Sequence, residues 1–158
     1  MNEIGAFERT SAAVWARPDR AVLAYRAIVV ALIAGVAETL GRVALALDEP
    51  GVHVQGIAFG LLMRAAIYLT VFALAARMLA GNLWARRVLV VGLGTLGLAS
   101  LAVEPLRAVL TAEHPGDLCT HWTPNAVILG LLRTAHIIAV LVAVPAAVTA
   151  GRRVDSAT

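Results

Sequence analysis

Besides Arg26 and Arg77 near helix ends, six charged side chains and one histidine stand in stretches that are otherwise apolar: Glu38, Arg42, Arg64, Glu104, Arg107, Arg133 and His136. An ionised group at the middle of a membrane span costs ~2.5–3.5 kcal/mol on insertion scales, so each must be paired, hydrated or ligand-bound. Glu38 with Arg42 is an i,i+4 pair and Glu104 with Arg107 an i,i+3 pair, so each can close within its own helix. Arg64 and Arg133 have no comparable acid nearby in sequence. Two carboxylates shared among four guanidiniums leave a positive excess even before His136 is counted. In a low-dielectric site such an excess calls for an anion, so the chemistry expected here is capture of a phosphate- or carboxylate-bearing lipid or solute. Tyr68, four residues after Arg64, shares its helix face and completes the expected binding set.

The elements that must hold these groups are set by hydropathy. The chain has 158 residues, 60% of them apolar and 15% charged, which leaves too little polar surface for a soluble domain. Apolar stretches at 21–47, 56–80, 88–110 and 126–150 each reach the ~20 helical residues that cross a hydrocarbon core. The expected fold is therefore all-α: a polytopic bundle of four transmembrane helices over 21–150, with a short segment 1–20 before it and a tail 151–158 after it. The first stretch is expected to be a span, because it is longer than a signal-peptide core and carries Glu38 and Arg42.

Charge sets the expected orientation in the cell membrane. All 13 basic residues are Arg. Arg9, Arg17 and Arg20 precede the first span, Arg77, Arg86 and Arg87 flank the middle connector, and Arg152 and Arg153 follow the last span. The other two connectors hold no Arg, but carry Asp48, Glu49, Glu113 and Asp117. The positive-inside rule then puts both termini in the cytoplasm. Trp15, Trp84 and Trp122 fall in flanks or connectors, where indoles anchor at the interface. Basic charge scattered in this way is no nucleic-acid footprint, so the partners expected are membrane lipid, an anionic ligand, and a second copy or a larger membrane complex.

The halves of the chain can be superposed as sequence. Gly35, Glu38, Arg42, His53, Gly60 and Arg64 recur in order as Gly97, Glu104, Arg107, His121, Gly130 and Arg133. This suggests two tandem helical hairpins in a parallel 2+2 repeat, with matching residues at matching depth. Small and polar residues also form stripes: Ala31, Gly35, Glu38, Arg42 on the first span, and Gly56, Gly60, Arg64, Tyr68 on the second. Gly97, Ser100, Glu104, Arg107 repeat the pattern on the third, and Gly130, Arg133, His136 on the fourth. Such stripes are expected to face the bundle interior and to bring the charges together in the outer half of the bilayer.

Other motifs carry less. His53, His114, Cys119 and His121 are metal-capable groups on the outer side, but their spacing fits no compact zinc template. Cys119 is the only cysteine, so it can form no intrachain disulfide. Residues 92–97 spell Gly-Leu-Gly-Thr-Leu-Gly, yet a dinucleotide fold needs a strand before this motif, and the flanks here form one apolar run. These glycines are expected to mark a close helix contact, and Pro105 and Pro145 to bend their helices. No nucleophile with a matching base and no cofactor fingerprint is present. The alternatives to ligand binding are an accessory subunit paired through its charged stripes, and a small membrane enzyme using Glu38 or Glu104 with His136 in proton transfer.

Overall fold

The computed structural model describes residues 15–48, 50–51, 53–99, 103, 106, 110 and 123–151. Glu104, Arg107, His114, Cys119, His121, Ser100, Pro105 and Trp122 lie outside these, as do segments 1–14 and 152–158. The described residues are helical and joined by turns. Helix α1 is Pro18–Leu47, α2 is Val54–Leu79, α3 is Leu83–Val91, and α4 is Pro124–Ala150. Gly92–Gly97 continues α3 as a π-helical segment. Among the described residues, α1, α2 and α4 are long and apolar enough to cross a membrane.

Local chemistry sets the ends. Helix α1 starts three residues before its apolar stretch because Pro18 stands at its first turn and Asp19 complements the positive pole there. Asn82 caps α3 by accepting from the Ala85 amide at 3.1 Å, and Thr123 caps α4 by accepting from the Ala126 amide at 3.2 Å. Between α2 and α3 the chain reverses at Gly81, whose φ of 93° suits a residue without a Cβ. Helix α4 continues through Pro145 to Ala150.

The principal seam joins α1 to α4. The Arg17 amide donates to the Ala150 carbonyl at one end, and Gly41 lies against Leu129 at the other, so the two helices run antiparallel along their whole length. Ala21, Ala24, Ala27 and Ala31 on α1 and Ala139, Ala143, Ala146, Ala147 and Ala150 on α4 are buried. Methyl-sized side chains at spacings of three and four let helix backbones approach closely, which drives association where no hydrophobic effect operates between helices. Met78 and Ala75 of α2 and Ala85 and Leu89 of α3 close this core. Helix α2 packs on α1 and α3, while α3 and its π-helical continuation pack on α4.

Two expectations change here. Trp15 is not an interfacial anchor: it is 1% exposed, and the Arg86 guanidinium lies 5.6 Å from its ring centroid. Nor do all the glycine stripes face inward. Gly56, Gly60 and Gly130 are exposed, and a Cβ at any of them would meet nothing within 4 Å. The reason is that the buried core gathers at the Trp15 and Ala150 end, and α1 meets α2 through Tyr68 and Val71 rather than through the glycines. In the Gly92–Gly97 run, the contact to another helix falls at Gly94, against Val144.

Candidate functional site

The α1–α4 seam changes character two-thirds of the way along α1, where alanine gives way to Gly35, Glu38 and Thr39. Glu38 sits ~30 Å of helical rise from Pro18 and ~14 Å from Leu47. Its side chain is 9% exposed, and its Oε1 atom receives Arg42 Nε at 3.2 Å and Arg133 Nη2 at 2.9 Å. The first contact is the i,i+4 pair expected from spacing; the second crosses from α4 and ties the helices together. Two guanidiniums on one carboxylate oxygen form a charge-assisted clamp, stronger than neutral bonds and, with the carboxylate buried, screened less than a surface pair.

One turn toward the core, a second polar group crosses to α2. Tyr68 Oη donates to the Gly35 carbonyl at 3.0 Å, and with that proton committed it accepts from Thr39 Oγ1, also at 3.0 Å. His136 of α4 lies on the same glycine. A Cβ added at Gly35 would come 2.9 Å from His136 Cε1 and 3.1 Å from Tyr68 Oη, so glycine is what lets α2 and α4 side chains meet α1 at this level. His136 Nδ1 is sealed from solvent without a hydrogen-bond partner.

No protein-family model, curated protein or solved structure matches the chain. Function therefore has to be read from this site alone.

Of the expected binding set, Glu38, Arg42 and Arg133 form one ionic cluster, and Tyr68 and His136 both lie against Gly35 beside it. Arg64 stands apart. It is exposed, makes no ion pair or hydrogen bond among the described residues, and lines a groove of about 270 Å³ between α1 and α2. The rest of that groove is Val36, Leu40, Leu61, Ala65 and Leu69, with Thr39 and Tyr68 as its polar members. Glu104 and Arg107, outside the described residues, are not located relative to this cluster. Thr39 was missed from sequence because a hydroxyl in a span is unremarkable; the signal was its i,i+4 spacing from Gly35. Among the metal-capable residues, His53 is exposed at the start of α2, and no three His, Cys, Asp or Glu gather among the described residues.

Proposed function

We propose that the chain is a four-span membrane protein that binds an anionic lipid in its outer half, with Arg64 as the contact for the headgroup. The observation that carries this reading is the exposed Arg64 guanidinium, without an ion pair among the described residues, on an apolar groove between two helices. Val36, Leu40, Leu61 and Leu69 suit an acyl or isoprenoid chain, and a guanidinium suits a phosphate through bidentate hydrogen bonding. Glu38, the buried carboxylate of the α1–α4 seam, is engaged by Arg42 and Arg133 rather than by Arg64. By the sequence repeat, Glu104 and Arg107 of the third span belong to the same charged level.

A fourth span is supported by helical residues at 98, 99, 103, 106 and 110, which extend the α3 run past its π-helical segment. The inward orientation of both termini is supported by Arg17, Arg20, Arg77, Arg86 and Arg87 flanking helix ends on one side of the bundle, with Asp48 on the other. In this orientation Cys119 faces outward. A membrane-impermeant maleimide added to intact cells is expected to label it fully; labelling only after lysis would invert the topology and move the groove to the inner leaflet.

The lipid reading is tested by mass spectrometry of the protein released from micelles with phosphatidylglycerol and phosphatidylcholine. Arg64→Leu is expected to reduce phosphatidylglycerol binding about fivefold, the value of one basic residue at an anionic surface, while leaving phosphatidylcholine binding and thermal stability unchanged. Equal retention of phosphatidylglycerol by Arg64→Leu and the parent protein would rule the groove out as a headgroup site.

A further inference from the structure

Tyr68 also lines a second, partly enclosed space, between α1, α2, α4 and the π-helical segment. It has a volume of about 120 Å³, and its walls include Ile28, Ala31, Leu93, Val140, Tyr68 and His136. Apolar cavities of about 150 Å³ take a benzene ring and stay free of water, so this one has the size of a single six-membered ring. Two features of the chain create the space. Gly97 lines it without a side chain, at the end of the π-helical segment, and Gly35 lets the His136 ring lie against α1 instead of filling the centre.

The two polar side chains on the wall are not equivalent. Tyr68 is committed, donating to the Gly35 carbonyl and bonded to Thr39. His136 makes no hydrogen bond through either ring nitrogen, and Nδ1 is shut away from solvent. A half-turn of the imidazole about χ2 exchanges nitrogen and carbon positions within the same outline, so a nitrogen can face the cavity without a change in packing. Water is a poor occupant, since an ordered water needs two to four polar partners and, among the described residues, the imidazole is the one side chain on this wall with bonding capacity to spare. A ring with a single hydroxyl meets both demands: its apolar body replaces the missing contacts of the aliphatic wall, and its hydroxyl satisfies the imidazole.

We propose that this interior cavity is a binding site for a neutral six-membered-ring molecule carrying one hydroxyl, of the phenol class, held by a hydrogen bond to His136. The site is distinct from the lipid groove and does not depend on it, although Tyr68 forms a wall of both.

The test uses the full chain in micelles and fluorine NMR of 4-fluorophenol and 4-fluorotoluene. A saturable bound resonance at one molecule per chain is expected for 4-fluorophenol, with affinity about tenfold tighter than for 4-fluorotoluene, the difference of one buried hydrogen bond. His136→Phe, which keeps a ring at this position, is expected to erase the tenfold preference. Ala143→Leu fills the cavity from α4 and is expected to abolish both resonances; should that variant lose its cooperative thermal transition, Ala31→Leu fills the same space from α1. Arg64→Leu is expected to leave 4-fluorophenol binding unchanged, which separates this site from the headgroup contact. Absence of a bound resonance, equal affinity for the two probes, a preference surviving in His136→Phe, or binding that persists in the filled variant would each overturn the proposal.

Discussion

Glu38→Leu is expected to destabilise the bundle by about 3–5 kcal/mol, the cost of removing one partner from a buried ion pair. The size follows from the position of the carboxylate. Glu38 is buried in the α1–α4 seam, and its Oε1 atom is the acceptor for both Arg42 Nε and Arg133 Nη2. Removing it takes from both guanidiniums a carboxylate they share in the α1–α4 seam, so desolvation that this carboxylate offset becomes a net cost. Unfolding by denaturing detergent in mixed micelles measures the loss. Glu38→Leu combined with Arg133→Leu is expected to recover a large part of it, because the second change removes one of the two charges that Glu38 offsets and puts apolar side chains on both sides of the seam. A loss under about 1 kcal/mol for Glu38→Leu, in the range of exposed pairs, would show that solvent reaches this cluster.

Gly35→Leu is expected to be the most damaging change among the small residues, with a loss of about 1–3 kcal/mol from overpacking. Even a Cβ at this position falls 2.9 Å from His136 Cε1 and 3.2 Å from His136 Nδ1, and a longer side chain must separate α1 from α4 or drive the imidazole into the adjacent cavity. Better intrinsic helix propensity returns at most ~1 kcal/mol. The diagnostic is the pairing: His136→Ala introduced into Gly35→Leu is expected to restore more than half of the loss, because the ring that occupies the space has gone. No restoration would mean that the strain falls on Tyr68 or on the backbone. Gly60→Leu is the contrasting case, since a side chain there projects into open space and is expected to change stability little.

The difference between these two glycines marks how far the sequence can be read. Both belong to stripes of small and polar residues at helical spacing, and both invite the same reading as interior contacts. Only Gly35 is one. Spacing identifies which residues share a helix face, but every face of a membrane helix is compatible with its surroundings, because lipid accepts alanine, leucine and glycine as readily as protein does. The choice between lipid and a neighbouring helix therefore rests on a balance of packing between particular pairs of helices, and here α1 and α4 match along their full length while the outer part of α2 does not. Arg64 shows the same limit. It is a charged residue within a long apolar helix, like Arg133, yet Arg133 reaches Glu38 and Arg64 lines the open groove.

The sequence by itself determined the helical class, the boundaries of the long apolar helices to within a few residues, and the local Glu38–Arg42 pair, because hydropathy, caps and i,i+4 geometry are properties of a single helix. Tertiary structure alone decided that Arg133 completes the Glu38 clamp, that Thr39 and Tyr68 bond beside it, that Trp15 is core, and that His136 borders a cavity. Each of these depends on the rotation and offset of one helix against another. Such offsets are fixed by the summed contacts of many small side chains, none of which carries a distinguishing mark in the chain.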